Sequence, residues 1–462
     1  MRKGYIYLLL VLLAAPLLTS CLGDDDETVV YDDVAISQFS LGTLKYNKRV
    51  NADSVLKTTL DCSSYKFNID QVNGIIYNPD SLPAGVDVSK AVTSAAAKNS
   101  GTLLLKSATS DTLYYYNSSD SIDFTTPRVM RVVNSRGTSF RSYTITVNVH
   151  QEYGDTLKWN NPITSEALAQ LTALNAISVG SKVMVTGLSD GKTVVYVSDI
   201  NDGKNWTKAS KTFDGKAYAN VATMDDKAYI LSDGTIYSSA DGTTWTTVAT
   251  QTGLTRLLGA SKTRLYGISD NAITASADQG KTWTKEQMDD DATLLPTRDI
   301  SFCYRQLTTN SDAYRLIIIG NRDADAYPAD TTAEVWGKIE EAESQTWSFY
   351  NHDERNPYLP RRLCGLKAIR YDGDLIALGG KGLGADATKA FSAFYRSKDD
   401  GITWVADTLM ALPATFSSSE TAFALTVDAD NNLWLIGGGT GQVWRGRINR
   451  LGWKEDKKAF EQ

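Results

Sequence analysis

The chain has 462 residues, 42% of them hydrophobic, enough for two or three separate cores. Its formal net charge of -7 comes with no Lys/Arg cluster, so nucleic acid is not expected as a partner, because phosphate binding needs concentrated positive charge. With only His150 and His352 and no Gly-Lys-Ser loop, histidine triads, histidine metal clusters and nucleotide-binding loops drop out; neither cofactor nor metal is expected.

At the N-terminus, Arg2 and Lys3 precede an apolar run over residues 5–18, too short for a comfortable membrane span of roughly 20 residues. It sits where the core of a cleaved signal peptide belongs, over residues 1–20. The run ends Leu18-Thr19-Ser20-Cys21, which resembles the bacterial lipobox; the resemblance implies that Cys21 is lipidated and anchors the protein to a membrane. Asp24, Asp25, Asp26 and Glu27 follow within an acidic tether over residues 21–32. This stretch resembles the signal that carries Bacteroidetes lipoproteins to the outer face of the outer membrane, and also reads as a simple solvated spacer. Cys62, Cys303 and Cys364 are odd in number and define no disulfide framework; they are expected to be small buried residues, with a Cys303–Cys364 pair as the alternative.

Over residues 33–152, segments such as 34–41, 65–69, 113–116 and 143–149 are rich in β-branched and aromatic residues and separated by turn residues. Strands at this spacing predict a β-sandwich, with a hairpin through Asn134-Ser135-Arg136-Gly137 leading into the last strand. In pattern it resembles the Ig-like modules between anchor and head in Bacteroidetes surface lipoproteins. Residues 164–174 carry the one helical pattern, and 153–175 are expected to form a linker.

Beyond it a repeat appears. Ser276-Ala-Asp278-Gln-Gly280-Lys-Thr-Trp283 and Ser397-Lys-Asp399-Asp-Gly401-Ile-Thr-Trp404 share the template Ser-x-Asp-x-Gly-x-Thr-Trp. Ser238-Ser-Ala-Asp241-Gly242-Thr-Thr-Trp245 moves its acid by one place, and the segment from Ser198 through Gly203 to Trp206 carries one extra residue. Trp347 and Trp453 keep only the aromatic end. These segments resemble the Asp-box, or bacterial neuraminidase (BNR) repeat, of β-propellers. The resemblance implies an all-β, six-bladed propeller over residues 176–462, with Trp159 in the linker or the closing blade, and with seven blades the alternative if Trp159 belongs to a separate partial blade. The box is mechanical: Ser and Asp bond the turn backbone, Gly accepts positive φ, and Trp wedges between sheets.

In a four-stranded meander the box turns occupy one face, and the second-to-third turns and inter-blade connections the other. On that second face the connections 286–299, 320–332, 350–362, 379–390 and 407–420 are long, and long loops on a rigid scaffold are where ligands bind. The expected ligand-binding residues are Arg298, Arg322, Asp323, Tyr327, His352, Asp353, Glu354, Arg355, Tyr358, Arg361 and Arg362. The acidic turns at Asp372-Gly373-Asp374 and Asp428-Ala-Asp430-Asn-Asn432 read as hairpin turns rather than calcium loops.

Sialidases share the Asp-box propeller, hold a substrate carboxylate with three arginines, the first in an Arg-Ile-Pro motif, and use a Tyr/Glu pair with an Asp acid/base. No Arg-Ile-Pro occurs here. The expected function is therefore a surface lipoprotein whose propeller binds a glycan or protein without catalysis, with no catalytic residue assigned; a sialidase-like glycoside hydrolase is the alternative.

Overall fold

The computed structural model describes residues 33–50, 54–343, 345–352, 355–408, 410–416 and 422–454. Cys21, the leader and the tether lie outside the described residues, as do Asp353 and Glu354. The protein is all-β, and the chain divides into two compact units that meet in sequence at Glu152/Tyr153.

The N-terminal unit holds three sheets. The largest runs Asn68–Asp70, Ile75–Tyr77, Phe140–Thr146, Arg128–Val133, Thr102–Lys106, Leu113–Tyr115 in spatial order. Its second and third strands pair in parallel and the rest antiparallel. The expected hairpin is present: Arg128–Val133 alternates buried and half-buried residues, and Tyr143 and Ile145 point into the core opposite it. Smaller three-stranded sheets join Ile36–Leu41 to Ala91–Ala97 and Ser121–Ile122, and Val55–Asp61 to Thr43–Arg49 and Val86–Asp87.

Among the described residues the second unit contains six antiparallel sheets in chain order. Sheet 1 is Ala173–Val179, Lys182–Ser189, Lys192–Asp199 and Thr207–Lys208; sheet 2 is Val221–Met224, Lys227–Ser232, Thr235–Ser239 and Thr246–Ala249. Sheet 3 is Arg256–Ala260, Leu265–Ser269, Ala272–Ser276 and Thr284–Lys285; sheet 4 is Arg298–Gln306, Tyr314–Asn321, Glu334–Glu340 and Ser348–Phe349. Sheet 5 is Lys367–Tyr371, Asp374–Leu378, Tyr395–Ser397 and Val405–Ala406. Sheet 6 takes Ala422–Val427, Leu433–Gly438 and Gln442–Asn449, and its outermost strand is Thr156–Trp159 from the start of the unit. The first strands touch in the cycle 1-2-3-4-5-6-1, so the sheets close a ring.

Each adjacent pair of sheets shares one apolar cluster, sheet 6 packing on sheet 1 as sheet 1 does on sheet 2. Because both faces of a sheet are covered, central strands such as Leu316–Ile319 are buried without a break instead of alternating. Trp206, Trp245, Trp283, Trp347 and Trp404 each enter the cluster between their own sheet and the preceding one. Trp453 does not. It meets Tyr153 edge-on at 5.9 Å, while Trp159 packs on the sheet 5/6 cluster, because the outer strand of sheet 6 comes from the other end of the unit.

Four turns between third and fourth strands use one set of hydrogen bonds. Ser276 Oγ accepts from Gly280 N–H (2.8 Å), Asp278 Oδ1 accepts from Thr282 N–H (2.9 Å), and Trp283 Nε1 donates to the Gly280 carbonyl (3.1 Å). Ser397, Asp399, Gly401 and Trp404 repeat this at 2.8, 2.8 and 3.0 Å. In sheet 2 Asp241 fills its role, but the serine is Ser239 rather than Ser238: Ser239 Oγ accepts from Gly242 N–H (2.8 Å), and Ser238 pairs with Thr246. In sheet 1 Gly203 N–H reaches Ser198 across the extra residue (3.0 Å), and Asp202 binds Lys204 N–H.

Three further expectations are corrected. Residues 153–175 are not a linker, since they supply the outer strand of sheet 6 and the start of sheet 1. The helix is one turn, Glu166–Ala169, because residues from Ala173 onward pair with Lys182–Ser189 and sheet pairing outweighs local propensity. Cys364 is exposed where burial was expected, Cys62 and Cys303 are buried, and all three are free thiols.

Candidate functional site

Sheets 1 to 3 join their second and third strands by two-residue turns, as at Asp233-Gly234, where both φ values are positive (48° and 71°) as a tight hairpin demands. Sheets 4 and 5 replace this turn with the long connections 322–333 and 379–394. Arg362, 0% exposed, fastens them together. Its Nη1 donates to the carbonyls of Tyr327 (2.9 Å) and Asp330 (2.8 Å), and its Nη2 to those of Arg322 (3.2 Å) and Asp323 (3.4 Å). On its other side the Arg362 amide donates to Asp386 Oδ2 (3.1 Å) and its carbonyl accepts from Leu383 N–H (2.8 Å). Gly384 passes so close that a Cβ would lie 2.9 Å from the Pro328 carbonyl. Arg362 was expected on the binding surface; it is instead the buried rivet of that surface, its charge spent on loop carbonyls, of which those of Asp323 and Tyr327 also accept from the amides of Tyr327 (2.9 Å) and Asp330 (3.4 Å).

Arg322 is consumed locally as well. It binds Asp330 through Nε (3.0 Å) and Nη2 (2.7 Å), approaches Glu334 Oε1 at 3.2 Å, and stacks 3.8 Å over the Tyr327 ring. Glu334 is 1% exposed, and burial pushes its carboxyl up to about 7 against the pull of Arg322. His352 Nε2 lies 3.4 Å from Glu334 Oε2, Thr332 Oγ1 is 3.0 Å from His352 Nδ1, and burial lowers the imidazole pKa, favouring the neutral ring. Asp323 Oδ1 accepts from the amides of Ala326 (3.2 Å) and Asp325 (2.9 Å), which holds its carboxyl below the usual range. Arg322, Asp323, Tyr327, His352 and Arg362 thus converge into one cluster, but chiefly to shape the loops. Arg298, Arg355, Tyr358 and Arg361 are exposed, Tyr358 by 53%; Arg361 adjoins Arg362, whereas Asn356 and Tyr358 lie against the sheet 5 turn, with the Tyr358 carbonyl accepting from Trp404 N–H (2.7 Å) and Asn356 Nδ2 donating to the Ile402 carbonyl (3.0 Å).

The strand sequences hid a channel of about 320 Å³ down the axis of the ring, walled by the first strands of all six sheets. Each first strand enters from the face that carries the long loops. Three consecutive sheets begin theirs with a cation: Arg256, Arg298 and Lys367. Arg256 Nη2 donates to the Thr297 carbonyl (2.8 Å) and Arg298 Nε lies 3.8 Å from Asp299 Oδ2. Asp299 sits in a bulge with φ 52° and accepts from Asn321 Nδ2 (3.0 Å). The only sequence signal for this group was a basic residue at the start of three successive first strands, legible only once the strands are in register.

A second convergence lies on the opposite face, where Arg305 Nη2 (2.6 Å), Arg370 Nη2 (2.8 Å) and Arg315 Nε (4.0 Å) surround Asp400, next to the sheet 5 turn. Three arginines gathered in this way already hold a carboxylate from their own chain.

Residues 153–456 match the model of the DUF6242 beta propeller domain, and residues 39–147 that of the DUF6242 N-terminal domain, a domain of unknown function. No curated protein matches the chain. Among solved structures, a structural genomics protein of unknown function from Bacteroides thetaiotaomicron is 9% identical with a TM-score of 0.40, covering 80% of this chain and 99% of its own. A Trypanosoma rangeli sialidase in complex with the inhibitor DANA is 13% identical with a TM-score of 0.34, covering 62% of this chain and 55% of its own. The GH74 enzyme of Niastella koreensis is 14% identical with a TM-score of 0.32, covering 70% of this chain and 48% of its own.

Proposed function

The chain belongs to the DUF6242 family, and on that premise we propose that it is a lipid-anchored bacterial surface lipoprotein whose six-bladed propeller binds a glycan or protein without catalysis. In this reading Cys21 carries the lipid, the acidic tether directs the protein to the outer face of the outer membrane, and residues 33–152 are an Ig-like spacer. Six blades is supported by the closed cycle of first strands and the six shared clusters, and the Asp-box reading by the four matching turns.

The observation that carries the binding proposal is the riveting of the loops of sheets 4 and 5 by Arg362. Loops locked into one body hold the exposed Arg361, next to Arg362, at little entropic cost on binding, and the exposed Tyr358 is fixed by its own carbonyl's bond to Trp404 N–H, which suits recognition. Absence of catalysis is supported by how the candidate groups are occupied: Arg322 by Asp330 and Glu334, and the three clustered arginines by Asp400.

A glycan array probed with the full chain tests the binding. Tyr358→Ala and Arg361→Ala should each weaken a positive signal by roughly tenfold or more, the loss usual for a central contact. Hydrolysis of a fluorogenic sialoside, abolished by either change, would overturn the noncatalytic reading. Transfer of Cys21→Ser protein from the membrane fraction to the soluble one tests the anchor.

A further inference from the structure

The geometry points to the loop-side mouth of the channel as a site for the carboxylate of an acidic oligosaccharide, contacted by Arg256, Arg298 and Lys367. This deepens the binding reading above and rests on it. Three neighbouring innermost strands present these cations at one rim, in a chain whose overall charge is -7. Two acids lie within Coulombic reach. Asp299, engaged by Asn321 and 3.8 Å from Arg298 Nε, also faces Arg256 and Lys367, while Asp323 feels Arg298 from the side and is committed to its own loop amides. The rim therefore keeps an excess of positive charge.

Lys367 lines the channel, and its Nζ has no hydrogen-bond partner among the described residues. Burial lowers its pKa and only Asp299 opposes that, so an arriving carboxylate would relieve a desolvated ammonium. Below the rim the walls carry the hydroxyls of Ser178, Thr223, Ser301 and Thr426, and the space of about 320 Å³ is near the lower limit of small-molecule sites, roughly 300 Å³. Hydroxyl-bearing walls match the edges of one sugar ring better than the apolar stem of an amino-acid side chain. The ligand inferred is accordingly a chain ending in a uronate rather than an acidic peptide.

The test is calorimetric titration of the full chain with trigalacturonate, galactotriose and triglutamate, each at low and high salt. Trigalacturonate should bind at least about tenfold more tightly than galactotriose, lose affinity with added salt, and lose about tenfold in Arg298→Gln and in Lys367→Gln. Melting temperatures of both variants should stay at the wild-type value, since neither side chain holds a loop in place. Equal binding of the two trisaccharides, indifference to both substitutions, preference for triglutamate, or no binding of any probe would each overturn the inference. An array ligand that depends on Tyr358 and Arg361 but ignores Lys367→Gln would sink this inference alone and leave the broader binding reading standing.

Discussion

Replacing Arg362 by leucine removes one guanidinium from four carbonyls of the 322–330 loop, leaving those of Asp323 and Tyr327 with only their loop amides and taking away the donor to those of Arg322 and Asp330. The bonds to Tyr327 and Asp330 are short, at 2.9 and 2.8 Å, and charge-assisted bonds of this kind are worth about 1.5–3 kcal/mol each, so the local loss should be about 3–6 kcal/mol. The central strands of sheets 4 and 5 keep their own ladders, so the loss falls on the loops rather than on the ring. Amides with observed partners inside the segment, those of Asp325, Ala326 and Tyr327, should exchange with solvent roughly a hundred- to ten-thousandfold faster, while exchange in the strand Leu316 to Ile319 should barely change. Arg362→Lys should fall between, because an ammonium cannot span two pairs of carbonyls as the planar fork does. Loop amides that exchange at the wild-type rate in Arg362→Leu would refute the riveting argument, and with it the preformed binding surface.

Truncating Trp404→Ala should cost about 3–5 kcal/mol in urea unfolding, because the indole is 4% exposed within the sheet 4/5 cluster and bonds the Gly401 carbonyl; an unchanged midpoint would mean it is no wedge. Turn amides from Thr244 and Thr243 hold the Asp241 carboxyl down at about 2, and hydrogen bonds likewise lower Asp278 and Asp399. A folded-state pKa below the unfolded value gives stability that is complete above about pH 4 and is lost as pH falls towards 2, so melting temperature should drop steeply there and less steeply in Asp241→Asn. Cys364 should react with a maleimide in the native protein, whereas Cys303, its thiol pushed up to about 12 by burial, and Cys62, pushed up to about 11, should react only after unfolding.

The turns that end in tryptophan were legible because their partners lie within a few positions of one another: Ser, Asp, Gly and Trp bond inside a single hairpin, and nothing distant is needed to make the motif intelligible. Even so, a slip of one residue between Ser238 and Ser239 could be resolved only once strand register was known. The long second-to-third connections of sheets 4 and 5 were also legible in sequence, through the lengths of successive connections.

What the tertiary structure alone decided concerns groups far apart in the chain. Trp159, one of whose expected places was the closing blade, packs where Trp453 was expected to wedge, because the ring is closed by pairing Thr156–Trp159 with Gln442–Asn449, which joins the two ends of the unit. Arg362 and Arg361 are neighbours of the same type, yet one is buried and the other exposed, a difference set by where the 322–330 carbonyls arrive. The cations at the channel mouth are spread over more than a hundred residues of sequence and meet only because successive sheets repeat one register around a common axis. Local hydrogen bonding writes a short pattern into the chain, whereas burial and charge convergence depend on closure of the ring, which no short window of sequence contains.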